Sequence, residues 1–282
     1  MNPALLVGLF ASVLFGAADF TGGIAARRAP ALLVTCFSGL GALLVLFLGM
    51  PFTHGAPTTR DLAWGAAGGV FGAAGATLIY KSLALGPVSV ASPVFCVVGL
   101  TVPVLFGVAT GERPSWLAWA GVALAVLSIP LVARAREDRS GYTRTHIRRT
   151  LFVATMAGLV VGWFLIAVAQ IRGGAGLWPL VVARSTGVVV LAVGLLARRS
   201  PLVPPAPARF VALGAGALDS SANVAYWFAV QSAPIALVGT LVSLAPATTV
   251  LLARLVLGER MATPQRWGLG LALLAGALIS SG

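Results

Sequence analysis

Asp219, Asn223 and Tyr226 recur at i, i+4 and i+7 inside the stretch GALDSSANVAYW, residues 216–227. On a helix that spacing stacks the three side chains on one stripe, with Trp227 beside them. The stripe offers a charge, an amide and an aromatic face, which is chemistry for holding a polar organic solute rather than for breaking a bond. The rest of segment 208–231 is apolar enough to lie in a bilayer. An ionisable side chain there costs several kcal/mol unless it meets a cavity or a partner, so these residues are candidates for substrate binding. The competing role is a structural hydrogen bond between helices, worth about 0.5–2 kcal/mol.

Two further ionisable side chains fall inside apolar segments, Asp19 and Arg184, and the helical rise ranks their depth. Asp219 is ten residues past Arg209 and Asp19 eight before Arg27, which puts both carboxylates roughly 12–15 Å from one membrane face. Arg184 and Trp163 each lie fourteen residues from the basic end of their segment, Arg198 and Arg149, or about 21 Å in. An arginine side chain spans the remaining difference, so an Arg184–Asp219 contact is within reach. Such a pair serves either as a permanent staple or as a switch that a substrate breaks with its own carboxylate or ammonium. Alone it is weak evidence for stability, because desolvation offsets the attraction. Burial favours the neutral form of a carboxyl group, which makes Asp19 and Asp219 the candidates for proton coupling. Asp19 precedes Gly22-Gly23, where a helix can unwind or a neighbour can approach closely.

The elements that must position these residues are membrane spans. The 282-residue chain is 59% hydrophobic and only 9% charged, with a mean hydropathy of +0.98, against about 25% charged in soluble domains. A crossing takes roughly 20 apolar residues. Cutting at charges, prolines and turn residues gives ten spans: 4–26, 30–50, 61–84, 88–110, 114–133, 150–171, 177–197, 208–231, 235–257 and 263–280. The expected fold is all-α, a polytopic membrane protein of ten transmembrane helices in two inverted five-helix repeats. Residues 1–133 form the first repeat, 134–149 a basic connecting loop and 150–282 the second. The N-terminal stretch lacks the basic start of a signal peptide and its apolar run is too long for one, so it is expected to be the first span.

The net charge of +12 is almost all arginine, Lys81 being the single lysine. These arginines sit in loops beside apolar spans, where they meet the anionic headgroups of the lipid bilayer, and this excludes nucleic acid as a partner. Cys36 and Cys96 fall within spans and are expected as free thiols packed like small hydrophobes.

The repeat can be read by eye. LGPVSVASPVFCVVGLTVPVLFGVATGER (85–113) and SAPIALVGTLVSLAPATTVLLARLVLGER (232–260) align without gaps at an offset of 147. Pro87 falls on Pro234, Gly111-Glu112-Arg113 on Gly258-Glu259-Arg260, Gly121 on Gly268 and Tyr80 on Trp227. Tyr80 is thereby a candidate for lining the same site from the first half. An odd number of spans per repeat makes the second half enter the membrane with opposite sense, the usual architecture of an alternating-access carrier. One face collects Arg27, Arg28, Arg134, Arg136, Arg139, Arg144, Arg148, Arg149, Arg198, Arg199, Arg209, Arg260 and Arg266; the other has Arg60, Arg113 and Arg172. The positive-inside rule then places the first face in the cytoplasm and both termini outside it, with the cell (inner or plasma) membrane as the location.

Pro87 and Pro234, each followed 25 residues later by Glu112 and Glu259 of a Gly-Glu-Arg, together with SLAPATTVLLARLVLGER, FGAADFTGG and Ala183-Arg184, resemble the EamA-type repeat of the drug/metabolite transporter superfamily. The resemblance covers nearly the whole chain. It implies a ten-helix secondary transporter with a central cavity, in a superfamily whose members carry amino acids, nucleotide sugars, other metabolites or drugs. Three departures stand out. Gly99 occupies the first-repeat position of Pro246, Arg184 has no basic counterpart among Cys36, Phe37 and Ser38, and such proteins mostly keep their termini in the cytoplasm, against the arginine count.

Other conspicuous residues have structural roles as their first expectation. Trp64, Trp116, Trp119, Trp178 and Trp267 lie near span ends, where indoles favour the interface, and Lys81 is expected to snorkel. Glu112 and Glu259 are expected to cap helix ends or pair with their neighbouring arginines, with gating as the alternative. Pro93, Pro103 and Pro246 remove backbone hydrogen bonds within spans 4 and 9, which suits either a flexing helix or a packing kink.

No G-x-x-x-x-G-K loop is present, so the chain cannot drive transport by hydrolysing nucleotide. His54 and His146 lie in loops, and no His, Cys or carboxylate cluster has metal-ligand spacing. Neither an enzyme nor a cofactor is expected. The leading expectation is a secondary transporter, an exporter of a small organic metabolite such as an amino acid or a drug-like cation, working by alternating access with proton coupling. The alternatives are a non-transporting membrane subunit and a passive channel; a monomer suffices for any of these.

Overall fold

The computed structural model describes residues 3–111, 113–133, 143–232 and 235–281. Among them the chain forms helices and no strand: α1 (Pro3–Ala26), α2 (Ala31–Gly49), α3 (Thr59–Leu85), α4 (Val88–Ala109), α5 (Trp116–Val132), α6 (Arg144–Ala169), α7 (Trp178–Ala197), α8 (Ala206–Ser232), α9 (Ile235–Val242), α10 (Ala245–Val256) and α11 (Thr263–Ser281). These make ten spans, because α9 and α10 are the two halves of the ninth. The break at Ser243-Leu244 comes directly before Pro246, which opens α10 where its missing N–H costs nothing. Its counterpart α4 has Gly99 there and runs on as one helix through Pro93 and Pro103. Seven of the described helical stretches are long and apolar enough by themselves to cross a membrane. α5 is shorter at 17 residues, and α8, which carries Asp219 and Asn223, is not among the seven.

Polar caps set several of the ends. Thr58 and Asp61 form a capping box at the start of α3, with the Thr58 N–H donating to Asp61 Oδ2 at 2.8 Å. Ser115 accepts from the Ala118 N–H ahead of α5. Thr143 accepts from the His146 N–H, which starts α6 at Arg144 rather than at residue 150, so the last part of the expected connecting loop is helical. The remainder of that loop, 134–142, and Glu112 lie outside the described residues.

The packing obeys a two-fold exchange of the halves. α1 packs on α8 and its counterpart α6 on α3; α2 packs on α8 and its counterpart α7 on α3; α1 meets α9 and α10, as α6 meets α4; and the self-paired contacts are α2 with α7 and α5 with α11. The pairings of α1 and α2 with α8 and of α6 and α7 with α3 therefore recur in both senses, as an inverted repeat demands. A further self-paired contact is α4 with α10, while α1 with α3 and α4 with α11 are contacts outside that exchange.

Glycines set the distance of the central helices. A Cβ on Gly69 of α3 would stand 2.3 Å from the Ala183 carbonyl oxygen of α7, and one on Gly216 of α8 would stand 1.7 Å from the Ser38 carbonyl oxygen of α2. Gly69 and Gly216 are themselves 147 residues apart, so the same close approach is built into both halves, and backbone on the facing side cannot give way. We predict that Gly216→Ala lowers stability by more than about 2 kcal/mol, as forced overpacking does, seen as loss of monodisperse protein or a lowered Tm in detergent. Gly214→Ala, with nothing within 4 Å of its would-be Cβ, leaves both unchanged.

Candidate functional site

Arg184 is held deep in α7, one residue after Ala183, which packs on Gly69. Its Nη2 donates to Asp219 Oδ2 of α8, across the pair of helices on which both repeats converge. Asn223, one turn along α8, donates from Nδ2 to the Asp219 carbonyl at 2.7 Å and to Oδ2 at 3.3 Å, so the amide orients the carboxylate that faces the guanidinium. The guanidinium is not satisfied by this: Arg184 Nε is buried without a hydrogen-bond partner. A buried donor left over costs about 1–3 kcal/mol, more when charged, unless something accepts from it.

What lies beside the pair is a cavity of about 90 Å³. Its wall is drawn from α1, α2 and α3 of the first half and α6, α7 and α8 of the second, and the polar groups on it are Asp19, Thr35, Ser38, Tyr80, Arg184 and Asp219. The side chains of Arg184 and Asp219 are 22% and 26% exposed, so the pair fronts open space rather than a sealed contact. Tyr80 is fixed by a 3.0 Å hydrogen bond between its hydroxyl and that of Ser38, and its ring lies against Gly22, where a Cβ would come within 2.1 Å. The Gly22-Gly23 pair thus serves close approach, and α1 stays helical to Ala26. Glycines of α3, Gly68, Gly69 and Gly72, leave the room that the cavity occupies.

Of the residues singled out from sequence, Asp19, Tyr80, Arg184 and Asp219 meet at this cavity, and Asn223 stands behind Asp219. Trp163 does not join them. It is 46% exposed on the outside of the bundle, stacked on Phe71 and edge-on to Phe106. Its depth was countable, but depth fixes height along the normal and not direction around it. α6 turns Ala154, Ala157, Gly158 and Gly162 inward, and Trp163 falls on the other side. Tyr226 and Trp227 continue the α8 stripe beyond the cavity, Trp227 packing beside Leu46, Leu177 and Val181. Ser38 and Phe164 line the cavity without having been expected to; the glycine run GGVFG, 68–72, facing the second repeat's polar stripe was the available signal.

Contacts that join the halves lie toward each face of the membrane from the cavity. Toward the arginine-rich face, an apolar cluster of Phe20, Leu83, Val88 and Ala253, with Ile24 and Leu257 against it, separates Asp19 and Tyr80 from the loops. Above it Glu259 caps α4 from 171 residues away: Oε1 accepts from the Val88 N–H at 3.0 Å and Oε2 from the Ser89 N–H at 3.2 Å. A carboxylate on the first N–H groups of a helix is well placed in its dipole field. Glu259 also faces Arg27, at 3.8 Å, rather than its neighbour Arg260. Arg27 in turn donates to the carbonyls of Leu83 and Gly86 at the end of α3, at 3.3 and 3.5 Å. Toward the other face, Asp61 Oδ1 accepts from the Arg172 N–H at 3.1 Å, and the Ala56 N–H donates to the Gly174 carbonyl at the same distance.

Two five-span halves exchanged by a pseudo-two-fold and enclosing a charged cavity define a membrane transporter of inverted-repeat architecture. The profile of the EamA-like transporter family matches residues 2–134 and again residues 148–281, so the chain belongs to that family, within the drug/metabolite transporter superfamily. One solved crystal structure, 17% identical, superposes with a TM-score of 0.62 over 99% of this chain and 96% of its own, a likeness of fold alone. No curated protein matches.

The pair can be tested apart from transport. Removing one partner of a buried ion pair leaves a charge uncompensated and costs about 3–5 kcal/mol when fully buried; with roughly a quarter of each side chain exposed the loss is smaller. Arg184→Gln and Asp219→Asn are each expected to lower the Tm, and the double variant to recover most of the loss. Additive losses in the double variant would show that the two side chains do not interact.

Proposed function

We propose that the protein is a secondary transporter that exports a small zwitterionic metabolite, amino acids being the first class to test, by alternating access and in exchange for protons. The observation that carries this is the convergence of Arg184, Asp219 and Asp19 on one cavity between the repeats. Arg184 has a free donor for a carboxylate, and two acids face one arginine, which leaves a carboxylate for an ammonium group or a proton. The volume of about 90 Å³ favours a small solute over a drug-like cation, since drug-sized ligands occupy about 300–1,000 Å³. The arginine-rich face is assigned to the cytoplasm of a cell membrane, with both termini on the other side.

Alternating access gives the rest of the α8 stripe its role. At the offset of 147, Asp219, Asn223, Tyr226 and Trp227 correspond to Gly72, Ala76, Ile79 and Tyr80 of α3. All four α3 residues line the cavity here, but of the α8 set only Asp219 does. When the halves exchange conformations, α8 takes the place of α3, and Asn223, Tyr226 and Trp227 come to line the site. The Glu259 cap and the Asp61–Arg172 tie are the contacts that each exchange must break or make.

Two measurements check this. In detergent, amino acids are expected to raise the Tm of the wild type and not of Arg184→Gln, while Asp19→Asn keeps binding but loses substrate-driven pH change in proteoliposomes; undiminished proton movement in both Asp19→Asn and Asp219→Asn removes the coupling. In a Cys36→Ala/Cys96→Ala background, Glu259→Ala is expected to speed labelling of Asn223→Cys by a water-soluble thiol reagent and to slow that of Ala76→Cys. Rates that move together would rule out the exchange.

A further inference from the structure

A second cavity lies at the arginine-rich end of the last spans, an open cleft of about 660 Å³ lined by Arg254, Gly258, Glu259, Arg260, Met261 and Arg266. Its three arginines come from different places: Arg254 from the last turn of α10, Arg260 from the connection, Arg266 from the first turn of α11. All three are exposed. Among the described residues none of them is paired with a carboxylate, and the one acid in the wall, Glu259, is committed to the Val88 and Ser89 N–H groups and to Arg27. The cleft therefore concentrates positive charge with no counter-ion of its own.

The repeat says that the fold does not need this charge. At the offset of 147, Arg260 has a counterpart in Arg113, but Arg254 falls on Gly107 and Arg266 on Trp119. Two of the three arginines are additions to the second half, on the face where the loop arginines collect. The cleft also continues into an apolar surface. Leu251 and Leu255 on α10, and Trp267 on α11, are exposed large hydrophobics within three residues of Arg254 or Arg266.

A phosphate with two hydrocarbon chains has the shape and polarity of that surface. We propose that the cleft between α10 and α11 binds the headgroup of an anionic phospholipid, its phosphodiester on Arg254, Arg260 and Arg266 and its acyl chains along Leu251, Leu255 and Trp267. Arginine suits this ligand because its planar fork donates two parallel N–H bonds to phosphate oxygens. The apolar flank favours a lipid over free phosphate, which would make no use of it.

The test is native mass spectrometry of the full-length protein titrated with phosphatidylglycerol and with phosphatidylcholine of the same chains. Wild type is expected to take up phosphatidylglycerol at least about tenfold more tightly, and Arg260→Gln/Arg266→Gln, which removes two of the three charges on the cleft, to lose that preference. The matched control is Arg198→Gln/Arg199→Gln, which removes two exposed arginines of the same face away from the cleft and is expected to keep the preference. Equal uptake of both lipids by wild type, or an equal loss in the control, would overturn the site. Displacement of phosphatidylglycerol by inorganic phosphate would overturn the lipid assignment in favour of a free anion. Unchanged Tm values in both double variants exclude misfolding as the cause of a lost preference.

Discussion

A guanidinium some 20 Å inside a membrane protein dictates much of what surrounds it. Arg184 cannot be left unpaired in hydrocarbon, so α8 must bring Asp219 to it and α7 must sit close enough for the two to meet. The approach is made possible by glycines: Gly69 lets α3 lie on the α7 backbone at Ala183, and Gly216 lets α8 lie on α2 at Ser38. Arg184 and Asp219 both belong to the second half and the space they face is walled by both halves, so the ion pair is also what gives the interface between the halves its chemistry. Asp219, oriented by Asn223, accepts from Nη2 of the guanidinium, and the buried Nε has no protein acceptor.

The ends of the bundle are held differently from its middle. The middle is held by close backbone packing, which is repeated in both halves and tolerates little change. The ends are held by a few polar contacts at helix termini: Glu259 on the first N–H groups of α4, Arg27 on the last carbonyls of α3, and Asp61 on the N–H of Arg172. Bonds of this kind contribute about 1–3 kcal/mol each, close to the range by which a ligand shifts a two-state equilibrium. Rigid packing at the centre is thus joined to weaker polar contacts at each end.

The halves, their offset and their opposite sense were legible because a gap-free repeat and a span count decide them without tertiary information. The break in the ninth span was legible from Pro246 against Gly99. The Arg184–Asp219 contact was reachable because both residues are counted from loop arginines along stiff helices, whose rise is fixed. Trp163 shows where that arithmetic stops, since it returns height and says nothing of azimuth; only the small residues Ala157, Gly158 and Gly162, which mark the packed side of α6, carried that information. Glu259 is expected from sequence to cap a helix end or pair with the adjacent Arg260; it caps α4 and faces Arg27 instead. The helix end that it caps lies across the repeat boundary, and no periodicity in one segment points there. α6 begins six residues before the expected span start at 150, because Arg144, Arg148 and Arg149 look like loop in sequence, whereas arginines in the first turns of a span reach the interface from within a helix.

The two halves share a backbone plan but not a charge plan, and this difference bears on how such a site can work. If both repeats carried an arginine in the second helix and an aspartate in the third, the pseudo-two-fold would double the pair and leave each guanidinium satisfied by its own carboxylate. Instead Phe37 and Gly72 stand where Arg184 and Asp219 stand in the second half, and the first half supplies Asp19 from α1. One arginine and two carboxylates from different halves thereby line one cavity. Whatever neutralises or replaces one of them, a proton or an ammonium, changes the electrostatic balance across the same interface along which the halves would move. The asymmetry places the charge imbalance at the junction of the repeats, which is where the proposed exchange would need binding and relative motion to meet.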